Sequence, residues 1–506
     1  MATPGRRWLA GAAFLMLAAA DVAAQWKVAP DITLRETYTD NVFFGAGPRT
    51  DDFITQVTPG IRIDGRSPRL AASLSYRPSA LFYARESEFN DVVNDLAGSA
   101  RLEAVEKLFF VDAAASITQN FISPFARQPG DITTISANRF ESRTASLSPY
   151  LSGRLGSAIE YELRSAHTWT NTDSDALGDV YSRRWTGRVA SPVRRFGWSL
   201  EYDDTLTEYE EFRRQPDQKS RLYRARLFFQ PDESWRFFAN AGREENNFVL
   251  QEEQQERIYG GGLAWRPGPR TSVDLEYEHR FFGPYKLARF DHRTRLTAWH
   301  LGYLRDSTNF QTEVLRLPPG STAALLDSIF AARIADPNER RSAVEQFIRS
   351  TGTPAFLANS LAFYTERIFL REALDASFAV LGVRNSITFS AFYAENTEIS
   401  PDVAAIFPDA FLLGERFTQY GFGVRADHKL TASTSVGASY NRSHTQHKEP
   451  TMLESRDTYG TLTLNHTVSP NTTSFAGVSI SRYDSEGTGL SNQNSTSVFV
   501  GLNHRF

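Results

Sequence analysis

Phe196-Gly197-Trp198-Ser199-Leu200-Glu201-Tyr202-Asp203 is the stretch that decides the fold. Its large apolar side chains, Phe196, Trp198, Leu200 and Tyr202, fall on every second residue, with Gly197, Ser199, Glu201 and Asp203 between them. A period of two is the period of a strand, whose successive side chains point to opposite faces. The segment therefore reads as a strand with one greasy face and one ionic face.

The same alternation recurs in both directions along the chain. Ile159, Tyr161 and Leu163 oppose Glu160, Glu162 and Arg164, and Tyr223, Ala225, Leu227 and Phe229 oppose Arg224 and Arg226. Val273, Leu275 and Tyr277 oppose Asp274, Glu276, Glu278 and Arg280, and the pattern returns from Trp235 to Ala241 and from Ile387 to Tyr393. A soluble sandwich alternates too, so the connections discriminate. Short turns such as Gly65–Pro68, Ala104–Leu108, Leu151–Arg154, Pro192–Arg195, Pro231–Ser234, Pro267–Arg270, Gly382–Asn385, Leu430–Ser433 and Ser469–Thr472 recur. Longer polar stretches stand between them, including Asp40–Asp52, Ile122–Asn138, Asn171–Gly178, Glu210–Gln218, Asn246–Gln255, Ser400–Glu415, Gln446–Glu454 and Asp484–Gln493. Alternating tight turns and long loops are the layout of an outer-membrane β-barrel.

Backbone physics gives the reason for closure: in hydrocarbon each unpaired N–H or C=O costs several kcal/mol, so a spanning sheet has to seal on itself. Fourteen strand candidates lie between Trp26 and about Tyr303, and seven between about Tyr364 and Phe506. With both termini on one side the total is even, which asks for one more strand. The expectation is Thr308–Arg316, after a turn at Arg305-Asp306-Ser307, in an all-β, antiparallel up-and-down transmembrane barrel of about 22 strands, within a range of 20 to 24.

The ends of the chain agree with this reading. Arg6 and Arg7 precede an apolar run from Trp8 to Ala20, and Val22-Ala23-Ala24 precede Gln25, the layout of a signal peptide over residues 1–24 directing Sec export. At the other end Val498, Val500, Leu502, His504 and Phe506 alternate to the last residue, like the terminal strand that the barrel-assembly machinery reads in bacterial outer-membrane proteins. His504 stands where an aromatic residue is more usual.

Composition removes other classes. The 506 residues contain no Cys, which excludes disulfides, thiolate chemistry and Cys-ligated metals. Charged residues of both signs are mixed and the net charge is only −4, so nucleic acid is not an expected partner. No stretch after the leader reaches 18 uninterrupted apolar residues, so no spanning helix is expected. Aromatic residues make up 13% of a chain that is otherwise polar, which excludes disorder.

Between Pro318 and Phe363 the period changes. Leu325, Ile329, Ala332 and Arg333 fit helix spacing, and Asp336-Pro337 reads as a helix start before Val344, Phe347 and Ile348. Residues 318–363 are thus a helical insertion within the 25–506 barrel, either a cap on an extracellular loop or a plug in the lumen.

The chain resembles the PEP-CTERM system-associated outer-membrane proteins, a family of barrels found with exosortase and exopolysaccharide systems in Gram-negative bacteria. The resemblance rests on Trp26 and Pro30, Glu36-Thr37-Tyr38-Thr39-Asp40-Asn41, Asp52-Phe53 with Thr58-Pro59-Gly60, Asp336-Pro337 with Arg340-Arg341, and Gly382-Val383-Arg384-Asn385. It covers the chain beyond the leader and implies a role in exopolysaccharide export, with exopolysaccharide or secretion-system components as partners beside outer-membrane lipid and the barrel-assembly machinery.

Charges on the lipid face near the midplane would cost about 2 to 4 kcal/mol each. The alternation therefore assigns Glu160, Glu162, Arg164, Glu201, Asp203, Arg224, Arg226, Asp274, Glu276, Glu278, Arg280, Arg293 and Arg295 to the lumen. Two readings follow: cross-strand pairs that stiffen the wall, or a charged pore lining that selects cargo. Trp169, Tyr181, Trp185 and Tyr209 near strand ends read as interface anchors. No nucleophile motif accompanies His444 or His447, and no enzyme or cofactor is expected. Asp51-Asp52 and Asp173 with Asp175 read as solvated loops rather than calcium sites. The expected function is a pore or export channel, with a non-conducting assembly scaffold as the alternative.

Overall fold

The computed structural model describes residues 25–44, 49–173, 178–209, 217–249, 253–309, 322–331, 334, 340, 343–344, 368–399, 416–447, 452–490 and 492–506. Residues 1–24, read above as a signal peptide, and most of 318–363 lie outside these.

Twenty-four strand segments form one antiparallel sheet. The first seven are β1 (Gln25–Thr39), β2 (Asp52–Arg66), β3 (Leu70–Tyr76), β4 (Ser79–Tyr83), β5 (Asp91–Val93), β6 (Leu96–Val105) and β7 (Phe109–Phe121). Next come β8 (Arg139–Leu155), β9 (Ile159–Thr172), β10 (Val180–Ala190), β11 (Phe196–Tyr209), β12 (Gln218–Phe229) and β13 (Trp235–Asn246). Then follow β14 (Gln254–Gly268), β15 (Thr271–Arg280), β16 (Gly283–Arg293), β17 (Thr297–Thr308) and β18 (Phe369–Leu381). The last are β19 (Asn385–Glu398), β20 (Arg416–Lys429), β21 (Thr434–His447), β22 (Leu453–Ser469), β23 (Thr472–Glu486) and β24 (Gln493–Arg505). Pro78 lacks an N–H and interrupts one spanning strand, so β3 and β4 share the partner β2, while β5 and β6 make up the strand beside them. The barrel therefore has 22 spanning strands.

Closure is made by β1 against β24, from Asp31 opposite Arg505 to Thr39 opposite Ser497. The Phe506 amide continues it by donating to the Pro30 carbonyl at 3.1 Å. Leu502, His504 and Phe506 stand on the outer face of this closing strand, with the His504 and Phe506 rings edge to face at 4.9 Å.

The total agrees with the sequence reading, but the location of the extra strand does not. β17 pairs directly with β18 with no strand between them among the described residues, most of the expected strand, 310–316, lies outside those residues, and Arg305-Asp306-Ser307 lies inside β17 rather than in a turn. Fifteen spanning strands, not fourteen, precede the insertion; among the reversals are a two-residue connection at Phe281-Phe282 and a turn at Thr294–Leu296. The turn placed at Leu151–Arg154 also moves: β8 continues to Leu155, with Arg154 opposite Glu160, and the chain reverses at Gly156 with φ +62°.

Outer faces carry the apolar residues. Phe196 is 70% and Leu227 68% exposed, and Leu163, Tyr223, Tyr259, Leu275, Tyr277, Ile387 and Val500 are exposed likewise. A surface this apolar around a closed sheet is the surface of a membrane-spanning barrel. The start of β1, the end of β24 and all the tight turns except Phe281-Phe282 lie at one end, the turn end; the longer connections and Phe281-Phe282 lie at the other, the loop end. Among the described residues no helix is long and apolar enough to cross a membrane.

Candidate functional site

Two elements fold inward from the loop end. The first is the connection 122–138 between β7 and β8, which leaves its own wall and crosses the mouth. Phe125 packs with Phe369 of β18 and Phe417 of β20. Because β18 stands eleven spanning strands from β7 in a wall of 22, this contact joins opposite sides of the barrel. The Tyr483 hydroxyl of β23 donates to the Phe125 carbonyl at 2.6 Å, and Ser455 Oγ of β22 donates to the Pro124 carbonyl at 3.3 Å. Gly130 lies against the Tyr459 ring, where a Cβ would come within 2.5 Å of it, so a larger residue would not fit that approach.

The return half of this belt is pinned to β1 and β4. Arg35 Nη2 donates to Asp131 Oδ2 at 2.6 Å while its guanidinium lies over the Phe499 ring at 4.3 Å. The Tyr83 hydroxyl donates to the Thr133 carbonyl at 3.0 Å, and Ile132 and Ile135 pack on a cluster of Val42, Ile54, Leu81 and Tyr83. Burial pushes the Asp131 carboxyl up. The Arg35 charge and the bonds from Thr133 outweigh it, so the group sits below the usual carboxylate range. Between the belt and the wall is a cavity of about 430 Å³ lined by Gln56, Thr58, Arg77, Ser79, Asn94 and Gln119 among others.

The second element is a helix, α1 (Thr322–Phe330). It belongs to the connection between the loop ends of β17 and β18, yet Leu325 and Ile329 pack against Ala298, Ala379 and Leu381, which lie at the turn end of those strands. The helix therefore stands inside the lumen near its turn end. Arg293 Nη1 donates to the Ser328 carbonyl at 3.2 Å, and Arg340 Nε donates to Asp327 at 2.8 Å. The second helix expected after Asp336-Pro337 lies largely outside the described residues.

Between these elements the wall carries ionic ladders. Arg224 reaches Glu278 at 2.6 Å and Glu201 at 3.6 Å; Arg226 reaches Glu276 at 2.8 Å and Glu201 at 3.7 Å. Arg280 binds Glu244, lies 3.3 Å from Asp306 and 3.9 Å from Glu278, so a continuous chain of alternating charge runs from β11 to β17. The Arg224–Glu278 contact steps over two whole strands because the strands between present glycine. Gly242 and Gly260 lie in the gap, and a Cβ on Gly260 would fall 2.1 Å from the Tyr277 carbonyl. A second ladder joins Arg101, Asp112, Arg164 and Glu162, with Arg164 over the Tyr150 ring at 3.8 Å. Glu160 pairs with Arg154, Asp203 with Arg184 and Asp274 with Arg266.

Of the thirteen residues assigned to the lumen, all but one stand on the charged face of their strands. Arg295 does not: it is exposed in the Thr294–Leu296 turn, where strand alternation no longer applies. Tyr209 also differs from its expected role. It is buried against Phe140 and Val180 on the inner face, whereas Trp169 and Trp185 are exposed on the outer face and the Tyr181 and Trp169 rings lie 5.7 Å apart. Asp51 pairs with Arg85, and Asp52, fully buried, accepts the amides of Phe53, Arg85 and Glu86; Asp173 accepts the Glu141 amide, and Asp175 lies outside the described residues. Sequence reasoning also missed His300, which lies between Asp291 at 2.6 Å and Asp375 at 3.0 Å on the inner wall. Its position opposite Asp291 on β16 emerges only from strand register.

No protein-family model matches the chain, and no curated protein matches it. Among solved structures it is similar to the siderophore receptor PirA from Acinetobacter baumannii, with 7% identity and a TM-score of 0.47 over 95% of this chain and 80% of that one. The FrpB iron transporter from Neisseria meningitidis (F5-1 variant) gives 8% and 0.40 over 94% and 82%. OpdK from Pseudomonas aeruginosa gives 9% and 0.35 over 95% and 99%. At this distance the likeness says nothing of what the chain binds.

Proposed function

We infer that the chain is an outer-membrane channel for a hydrophilic cargo, exported by the Sec pathway and set in the membrane by the barrel-assembly machinery, with a lumen narrowed from within. The observation that carries this reading is the crossing of the mouth by 122–138 above walls lined with alternating Arg and carboxylate. A wall of paired charges stays wetted and offers polar groups of both signs to a hydroxylated or ionic solute. The amide- and hydroxyl-lined cavity beneath the belt suits a cargo rich in hydroxyl groups. The resemblance to barrels of exosortase and exopolysaccharide systems makes an exported exopolysaccharide the cargo proposed.

A second reading is a non-conducting scaffold for envelope or exopolysaccharide assembly. The packing of α1 against Ala298 and Leu381 at the turn end favours it, because both ends of the lumen then hold an inward element. Planar-bilayer recording separates the two. A channel gives small steps as wild type and larger ones after removal of residues 318–363, whereas a scaffold passes no current in either form.

A further inference from the structure

The outer face holds a feature that neither a channel nor a scaffold requires. On β13 and β14, Arg243 and Arg257 are direct cross-strand partners, and on β16 and β17 so are Lys286 and Arg305. All four lie on strand positions of the lipid-facing side, in register with tyrosines: Arg243 is opposite exposed Tyr223 and Lys286 opposite exposed Tyr277, while exposed Tyr259 follows Arg257 by two residues and half-buried Tyr303 precedes half-buried Arg305 by two. Directly opposed side chains on one face have Cβ atoms about 4.5–5.5 Å apart, and like charges so placed repel. Two such pairs within five adjacent strands call for an anion between them.

The carboxylates nearby do not supply it. Glu245 lies 3.1 Å from Arg243 but also serves Arg221 at 3.2 Å, and Glu372 lies 3.8 Å from Arg305. The side chains of Arg257 and Lys286 are exposed and form no ion pair or hydrogen bond among the described residues. Lys286 is one of only six lysines in the chain. Beneath the four cations, exposed Leu275, Phe290, Trp299 and Leu301 continue the apolar band.

We propose that Arg243, Arg257, Lys286 and Arg305 form a binding site for the phosphate groups of a phosphorylated glycolipid, lipid A, in the surrounding leaflet, whose acyl chains lie along the apolar band below. Guanidinium and ammonium groups bind phosphate through short charge-assisted bonds, and a row of tyrosines marks the level at which headgroups meet hydrocarbon. The site rests on the outer-membrane placement given above and is independent of whether the lumen conducts.

The test is native mass spectrometry of the full barrel in detergent with bisphosphorylated lipid A, dephosphorylated lipid A and inorganic phosphate. Wild type should retain the bisphosphorylated lipid, and Arg257→Gln/Lys286→Gln should retain it about a hundredfold less, the loss expected from two charge-assisted contacts at about tenfold each. The charge-keeping pair Arg257→Lys/Lys286→Arg should bind as wild type. Equal retention by the Gln pair, equal retention of the dephosphorylated lipid, or full displacement by millimolar inorganic phosphate would each overturn the proposal. Unchanged heat-dependent gel mobility of the variants establishes that the barrel is intact, and bilayer conductance, which these outward residues leave unaltered, separates failure of this site from failure of the channel reading.

Discussion

Arg224 on β12 and Glu278 on β15 meet at 2.6 Å although two whole strands, β13 and β14, lie between them. Glu278 is only 1% exposed and accepts from Asn240 as well, so the pair is a fixed part of the wall. Removing one partner of a buried ion pair leaves the other uncompensated and costs roughly 3 kcal/mol or more. Glu278→Ala should therefore lower the thermal midpoint of the barrel markedly, as read by circular dichroism. Arg224→Gln/Glu278→Gln, which removes both charges, should cost much less.

Glycine makes that reach feasible, and the consequence is specific to position. At Gly260 a Cβ would fall 2.1 Å from the Tyr277 carbonyl, whereas at Gly460 the nearest atom is the Ser439 carbonyl at 3.8 Å. Gly260→Val should destabilise by about 1–3 kcal/mol, the range for forced overpacking, and Gly460→Ala should leave the unheated gel mobility and the melting curve unchanged.

The Arg35–Asp131 pin makes the belt sensitive to acid. A carboxyl held below its ordinary value contributes to docking at neutral pH, and the contribution is lost as pH falls through the docked value. Hydrogen exchange of residues 122–138 should accelerate as the pH drops below the ordinary carboxylate range, after correction for intrinsic rates. In Asp131→Asn it should be fast already at pH 7, with that pH step absent.

Phe125 anchors the far end of the belt. Phe→Ala in a packed cluster costs about 3–5 kcal/mol, but here the loss falls on docking against Phe369 and Phe417 rather than on the strand ladder. Phe125→Ala should expose 122–138 to protease while the rest of the barrel resists, a split visible as a clean two-fragment pattern on heated gels.

The wall was largely legible from the sequence and its interior was not. Alternation in Phe196–Asp203 places each side chain correctly because a strand fixes facing locally, residue by residue. Arg295 escapes the rule because it sits where the strand has ended, and the fifteenth strand was misplaced because Phe281-Phe282 is a connection too short to look like a loop. The belt left no trace in the pattern. Its partners Phe369 and Phe417 are hundreds of residues away, so Ile122–Asn138 reads as one more polar loop. The glycines at 260–262 are visible in the sequence, but their meaning depends on Arg224 and Glu278, two strands apart.

The measurement that tests the account most directly uses the natural absence of cysteine. Ala298→Cys with Ile329→Cys places two thiols in the packed contact between β17 and α1, where oxidation locks the helix to the wall. Recording from a single oxidised channel in a planar bilayer and then adding a reductant should raise the current as the helix is freed. A current unchanged by reduction, or no current before and after, would contradict a lumen narrowed by its own inserted segment.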